Sequence, residues 1–275
     1  MRLTLFSAVA PLVVAGAVFA QTPAVPAGLS HYTIVQANDG KTVGTADCTV
    51  SSIPGGYQFT SHGELKMPKF TYSFSNENRM DSQLNIVRDQ LSGTVKGSQV
   101  TFFLSSDSTG RQFQVSIVAQ GKTTTNNFDR HQHLALLPDL DPAGYVAMAH
   151  FALEHPPTAW VVIPKQNGLL VPALYTPDAD AQGTLNGRAV TVHHVSVTVS
   201  DENGFTVEVY STSDGTVMET DLPEQNFYVI RDGFKLQSRP QYKPPRGQAP
   251  PPPSSGQGQP GQGGQVQPQA TQPSY

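Results

Sequence analysis

The sequence has few of the residues on which several large functional classes depend. Cys48 is its single cysteine among 275 residues, which excludes an intramolecular disulfide and argues against a cysteine-ligated zinc site. Only 14% of the residues are charged, and residues 21–239 carry 14 Lys and Arg against 21 Asp and Glu, a net charge of −7. A nucleic-acid groove needs clustered cations to displace counterions, so we expect no nucleic-acid partner.

Long apolar runs are also missing after residue 20, so we do not expect the exported chain to be an integral membrane protein. The first 20 residues differ. Arg2 is followed by an uncharged run from Leu3 to Phe19, and Val18-Phe19-Ala20 suits cleavage before Gln21. We predict a signal peptide at residues 1–20 and export to the periplasm or the medium. An uncleaved anchor is the alternative, although a run of about 17 residues is near the lower limit for spanning a bilayer.

The C-terminal segment, residues 240–275, is the second part with little capacity to fold. Pro, Gly and Gln fill 25 of its 36 positions, and it has no carboxylate. Such a segment buries too little apolar surface to offset its ordering entropy. We predict a disordered tail there, which could also act as a spacer or a loose envelope contact. Residues 21–29 are predicted to be a linker, and residues 30–239 a single domain.

Within that domain, apolar residues alternate with polar ones, as half-buried strands require. Residues 70–74, 113–117, 195–199 and 205–209 show this period of two. Asn-Gly and Asp-Gly turns separate many of the runs, and both dipeptides tolerate the positive φ of tight hairpins. The short spacing between turns favours an antiparallel meander of about ten strands over parallel βαβ units. A sheet of that size must curl or close.

Residues 130–155 break the alternation. Their apolar residues are spaced by three or four, Pro142 suits a helix start, and Pro156-Pro157 ends the segment. We predict a helical insertion, formed by two short helices separated near Asp139. The fold class is therefore mainly β, with a large curved antiparallel sheet wrapped around a central helical insertion. A half-barrel around the helix and a barrel with the helix as a lid both fit.

Four short segments carry a resemblance to a known family. They are Tyr32-Thr33-Ile34-Val35 with Thr42-Val43-Gly44, residues 126–133, Trp160-Val161-Val162-Ile163-Pro164, and the closing hairpins that end at Phe234. Together they resemble a family of uncharacterised secreted bacterial half-barrel proteins, similar in shape to periplasmic lipoprotein carriers. The resemblance spans roughly residues 30–238. It implies a half-open barrel and an envelope location, and it implies no established enzyme activity.

Histidine and aspartate offer one candidate metal site. His131 and His133, with Asp129 before them, supply imidazole and carboxylate groups that could bind zinc. On a strand, residues two apart share a face, whereas at a helix start they diverge, so the predicted helix argues against a shared ion. The competing interpretation is that Asp129 caps the helix while the histidines pack or face solvent. If the site exists, it indicates a metal-dependent secreted hydrolase.

No other catalytic signature is present. The nucleophile motif G-x-S-x-G does not occur, and Cys48 has no cationic neighbour in sequence to activate it. At His193-His194 the apolar positions change from even to odd, from Val192 to Val195, and we attribute this change to a β-bulge. We predict no cofactor, and no enzyme activity is favoured.

Aromatic residues recur on the predicted strands and give the remaining functional hypothesis. One face of the curved sheet would present them to its hollow side, where they could bind a lipid or another apolar small molecule. They serve equally as ordinary core. We therefore predict a non-enzymatic binding or carrier module, with the hydrolase and a purely structural envelope protein as alternatives. The predicted ligand-binding residues are Tyr57, Phe59, Phe70, Tyr72, Phe74, Phe102 and Phe113.

Overall fold

The structure is a computed structural model, and it describes residues 24–240 except 69, 96, 107–109, 138, 155–157 and 201–203. The predicted signal peptide and all but the first residue of the predicted tail lie outside the described residues. Among those that are described, no helix is both long and apolar enough to span a bilayer.

The first half of the chain forms eight consecutive antiparallel strands. Each strand pairs with the one before it. Burial alternates along most of these strands as the sequence predicts, whereas the last of the eight is exposed over nearly its whole length. Alternation buries one side chain in two because successive residues point to opposite faces of a sheet. The strands are β1 (Gly28–Gln36), β2 (Thr42–Ile53), β3 (Gly56–Met67), β4 (Phe70–Asp81), β5 (Ile86–Val95), β6 (Ser98–Ser106), β7 (Gln112–Ala119) and β8 (Lys122–Asp129).

Among the described residues, the second half adds one α-helix, two 3-10 turns and nine strands. The α-helix and the strands are β9 (Leu134–Leu136), α1 (Pro142–Glu154), β10 (Ala159–Ile163), β11 (Leu169–Pro177), β12 (Ala181–Leu185), β13 (Arg188–Val199), β14 (Phe205–Ser211), β15 (Val217–Leu222), β16 (Phe227–Arg231) and β17 (Phe234–Leu236). The turn from β12 to β13 is Asn186-Gly187, and both residues have positive φ, 50° and 78°. That pair is typical of the two-residue hairpin turn that matches strand twist.

The two halves join edge to edge into one sheet of 17 strands, more than the ten or so that were predicted. Strand β16 pairs with β1, so the sheet continues from β8 back to β1, then through β16, β15, β14, β13, β11 and β10 to β9. Strand β12 pairs with β13 and β17 as a short second layer. The predicted fold class is confirmed. Strand β1 starts at Gly28, and Val25 is already buried, so ordered structure begins inside the predicted linker 21–29.

Helix α1 lies inside the curve of the sheet. Asp141 precedes its first residue, and the Asp141 carboxylate accepts a hydrogen bond from the backbone N–H of Ala143 at 2.9 Å, as an N-cap does. Every residue from Pro142 to Ala152 is buried. A helix that is apolar on all sides must be covered on all sides. The contacts of α1 are with β2, β3, β9, β11, β14 and β15.

The prediction of two short helices is wrong for the first of them. Residues Leu134–Leu136 form β9, which pairs in parallel with β10, and His133 and Asp139 have φ values of 53° and 58°. A left-handed residue on either side prevents a continuous helix. All three residues of β9 are buried. A short apolar run that is covered on both faces has no alternation, so spacing alone does not separate it from a helix.

The predicted bulge at His193-His194 is also absent, because β13 pairs with β14 in unbroken register from His193 to Val199. The change in apolar phase has a different cause. Val192 belongs to a small second core on the outer face of the sheet, whereas Val195 belongs to the main core around α1. Strand β12 and the closing hairpin cover that outer face, so β13 is buried first on one side and then on the other.

Candidate ligand-binding cavity

Helix α1 fills only part of the hollow side of the sheet. Beside it lies a cavity of about 400 Å³, bounded by the inner faces of β4 to β7 and by the segments before α1 and after β10. Its lining is mainly apolar, and the exposed residues Lys165 and Asn167 mark its solvent side. The lining residues are Tyr72, Leu91, Gly93, Val100, Phe102, Ile117, Ala119, Leu137, Asp139, Pro164, Lys165 and Asn167.

Strand register explains why space remains there. Leu91 lies opposite Phe102, which lies opposite Ile117, so one row across β5, β6 and β7 is bulky. The next inner row joins Gly93, Val100 and Ala119 in the same way, and two of its three members have little or no side chain. Dense packing needs side chains that fill the interior, so a row of small residues leaves a hollow.

Polar groups are fixed at the mouth of this cavity. The Lys165 ammonium contacts the Asp139 carboxylate at 2.5 Å, and the Gln225 side-chain amide donates to the same oxygen at 2.9 Å. The Tyr145 hydroxyl donates a hydrogen bond to the Asp139 backbone carbonyl. These contacts hold Asp139 in its left-handed conformation. The mouth therefore carries a positioned ammonium and carboxylate above an apolar interior.

Tyr72 connects the mouth to the interior. Burial raises the pKa of its hydroxyl above the ordinary value of 10.0, and the nearby Asp139 and Asp141 carboxylates raise that pKa further. The phenol is therefore neutral across the physiological range and keeps its proton. It can donate a hydrogen bond to a polar group of a ligand while its ring contacts the apolar part.

Two of the seven predicted ligand-binding residues, Tyr72 and Phe102, line the cavity. The other five belong to the main core or pack against it: Phe59, Phe74 and Phe113 are buried, and Tyr57 and Phe70 are half-buried. The alternation of the strands placed these residues on the hollow side of the sheet, and their role in binding stays a prediction. Alternation did not reveal Lys165 and Asp139, which are far apart in sequence and meet only through the fold, or the small residues that make the space.

The three residues of the predicted metal site contact different parts of the protein. The His131 ring packs on Trp160 with centroids 4.1 Å apart, and His133 Nε2 lies 3.7 Å from a Glu154 carboxylate oxygen. Asp129 lies opposite Gln112 at the end of β8. No contact among the described residues joins two members of the predicted set, and the metal hypothesis there stays a prediction.

A buried polar cluster surrounds the residue that precedes α1. The Asp141 carboxylate accepts hydrogen bonds from the Ser61 hydroxyl at 2.6 Å and from the Asn76 amide at 2.8 Å. Asp89 and Asn78, opposite each other on β5 and β4, are fully buried, and within the described part of the chain the Asn78 side-chain amide has no hydrogen-bond partner. Burial raises the pKa of the Asp89 carboxyl well above 3.8 and the Asp141 charge raises it further, an effect that the neighbouring Asn76 side chain opposes.

Comparisons with known proteins bear on the architecture. No family model and no curated protein sequence matches the chain. The described fold is similar to the crystal structure of a β-barrel-like protein of the domain of unknown function DUF1849 from Brucella abortus. The TM-score is 0.52 at 9% identity, over 79% of this chain and 100% of that one. The fold is β-barrel-like.

Two further solved structures are more distant. A DUF1089 family protein from Pseudomonas aeruginosa gives a TM-score of 0.40 at 11% identity, over 81% of this chain and 97% of that one. A candidate exported protein with a YmcC-like fold from Bacteroides fragilis gives 0.30 at 7%, over 78% and 97%. Scores this low do not establish a shared fold. The predicted likeness to lipoprotein carriers is a separate claim and stays a prediction.

Proposed function

We propose that the protein is an exported envelope protein that binds an apolar small molecule in the cavity beside α1. The observation that carries the proposal is the cavity itself, a hollow of about 400 Å³ within the core with a mainly apolar lining. Ligand sites in proteins typically measure roughly 300–1,000 Å³ and combine apolar walls with a few positioned polar groups. Export rests on the sequence of residues 1–20.

The arrangement of the groups suits a single-chain amphiphile. Val100, Phe102 and Ile117 supply the walls, and Lys165 and Tyr72 supply hydrogen-bond donors at or near the mouth. An acyl chain would replace water against the apolar wall, and burial of apolar area is worth roughly 25 cal/mol per Å². The small polar head of the molecule would remain beside Lys165.

A cavity-filling substitution tests the proposal. Ala119→Phe places a ring in the cavity, whereas Val118→Phe places the same ring on the opposite face of β7, since adjacent residues on a strand point apart. We expect the wild-type protein and Val118→Phe to bind a fluorescent fatty acid saturably at one site, and Ala119→Phe to lose at least tenfold in affinity. Thermal unfolding checks that both variants fold.

Mass spectrometry of the intact protein under native conditions gives an independent readout. A bound lipid should appear with the wild-type protein and should be depleted in Ala119→Phe. If the wild-type protein carries no lipid and binds the fatty acid without saturation, the proposal is rejected in favour of a purely structural role in the envelope.

A further inference from the structure

A second cluster of potential ligand groups lies on the outer face of the sheet, away from the cavity. Strands β13 and β14 place His194, Ser196 and Glu208 on one face, because His194 and Ser196 are two apart and Ser196 lies opposite Glu208. Asp178 follows the end of β11, and its backbone N–H bonds to the His194 carbonyl at 2.9 Å. The register of three strands thus brings the four side chains together.

The distances within this cluster are those of groups that converge. His194 Nε2 lies 2.9 Å from Glu208 Oε2, and His194 Nδ1 lies 3.9 Å from Asp178 Oδ2. One potential ligand atom from each of Asp178, His194 and Glu208 falls within 4.8 Å of the others, and no other such group of three occurs in the part of the chain that the structure describes. Two atoms bound to one tetrahedral zinc ion lie roughly 3.4 Å apart.

A count of hydrogens shows that the carboxylates of the cluster have more short contacts than the Ser196 hydroxyl can satisfy. The Ser196 hydroxyl oxygen lies 2.6 Å from Asp178 Oδ2 and 2.6 Å from Glu208 Oε2. A hydroxyl has one hydrogen and can donate it to one of these oxygens, so the second short contact needs another proton or a cation. No lysine or arginine among the described residues pairs with Asp178 or Glu208.

The surroundings suit an ion that enters from solvent. The side chains of His194 and Glu208 are 13% and 11% exposed, whereas Asp178 is 42% exposed and has room to move toward them. The Tyr210 ring stacks on the His194 ring with centroids 4.3 Å apart, which fixes the imidazole plane. A cleft of about 440 Å³, which Asp180 and Arg239 also line, opens at the surface beside these two rings.

We propose that Asp178, His194 and Glu208 bind a divalent transition-metal ion of the zinc type. One imidazole nitrogen and two carboxylate oxygens are ligands that zinc accepts, whereas magnesium and calcium prefer oxygen alone. Three protein ligands leave a fourth position for water or for a group in the cleft. Ser196 then acts from outside the ion by orienting the two carboxylates.

Zinc titration of untagged protein, after removal of metals with a chelator, tests this site. We expect one equivalent to bind, with affinity reduced at least tenfold in both Glu208→Gln and His194→Gln. His193→Gln is the matched control, because His193 is the neighbouring residue and contacts Asp180 instead. That variant should bind zinc as the wild-type protein does.

Two further readouts make the result decisive. Zinc should raise the thermal unfolding temperature of the wild-type protein and of His193→Gln but not of the two ligand variants, which must unfold cooperatively in chelator. Cobalt should give the visible absorption of a tetrahedral site in the same two proteins. Equal zinc affinity in all four proteins, or no one-equivalent binding in the wild type, overturns the proposal and leaves a shared proton as the positive charge.

Discussion

The hollow side of the sheet has two halves that are built from similar strands but are packed differently. In the half formed by β2, β3, β14 and β15, helix α1 meets the sheet, and residues such as Tyr145 and Phe151 have almost no exposed surface. In the half formed by β4 to β7, a row containing Gly93 and Ala119 faces a cavity. Similar alternating strands therefore give a filled core or leave an open cavity, depending on what the inner rows meet.

From this difference we predict that stability and the proposed ligand binding depend on different parts of the molecule. The filled half gains from dense packing, since each buried side chain there touches others on every side. The side chains around the cavity lack some of those van der Waals contacts, as the side chains around ligand pockets generally do. Substitutions in the filled half should change the free energy of unfolding most, and substitutions around the cavity should change binding most.

The largest expected effect is in α1. Phe151→Ala removes a buried ring and should lower the free energy of unfolding by about 3–5 kcal/mol. Val100→Ala, in the cavity wall, should cost about 1 kcal/mol or less, because its methyl groups border an existing space. Denaturant unfolding measures both. Equal costs would show that the two halves are packed alike.

The buried Asp89, at the border of the two halves, gives the next effect. An unfolded aspartate ionises near pH 3.9, whereas the raised pKa of Asp89 keeps the folded carboxyl protonated to higher pH. The folded state then holds the extra proton, so stability falls as pH rises above about 4, by up to ~1.4 kcal/mol per pH unit, until the folded group ionises.

Asp89→Asn should reduce this fall and leave the protein more stable than wild type at pH 7, and the buried Asp141 carboxyl, whose pKa burial also raises, should account for the fall that remains. Unfolding free energies between pH 4 and pH 8 give the slope. Glu77→Gln is the control, since Glu77 lies on the exposed face of β4 and should leave the slope unchanged. A variant that keeps the wild-type slope would show that Asp89 is not the source.

His150 in α1 should act in the opposite direction. Its imidazole is fully buried against Gly215, and burial lowers its pKa below 6.5, an effect that the Glu154 and Asp214 charges oppose. Over the pH range between the lowered pKa and 6.5, the unfolded chain binds the extra proton. Stability is therefore present above pH 6.5 and is lost as pH falls below it, by up to ~1.4 kcal/mol per unit.

His150→Gln should reduce this loss of stability below pH 6.5, whatever the effect of the substitution on stability at pH 7. The measurement is the difference in unfolding free energy between pH 7 and pH 5. His62→Gln provides the comparison, because the His62 side chain on β3 is exposed whereas that of His150 is fully buried. An unchanged acid limb in His150→Gln would assign the loss of stability to other groups.

The sequence predicted the sheet well because strand periodicity is a local property. Burial alternates on β2, β3 and β4 as the apolar pattern requires. Strand β9 was not predicted, since it has only three residues and all of them are buried, which leaves no alternation to detect. The second core was not predicted either. Val192 and Phe234 belong to it, on the outer face of the sheet where a second layer covers them. The apolar pattern of a single strand does not indicate such a covering layer.

The site was predictable only in part for the same reason. Tyr72 and Phe102 lie on regular strands, and alternation placed both on the hollow side. The polar groups at the mouth depend on a left-handed residue, Asp139, and on contacts between segments 26 residues apart for Lys165 and 86 apart for Gln225. The outer His194 cluster needs the register of three strands, which propensity does not specify.

The smallest expected effect comes from a comparison of Lys165, at the mouth of the cavity, with Lys66, an ordinary surface lysine. Lys165 and Lys66 each form an exposed ion pair, with Asp139 and Glu64, and such pairs contribute about 0.2–1 kcal/mol to stability. Lys165→Met and Lys66→Met should therefore change unfolding little. Lys165→Met alone should weaken binding of a fatty acid relative to the uncharged fatty alcohol of equal length, because only Lys165 lies at the mouth. Equal weakening for both ligands would show that the polar head of the ligand does not lie beside Lys165, and that the ligand is oriented the other way in the cavity.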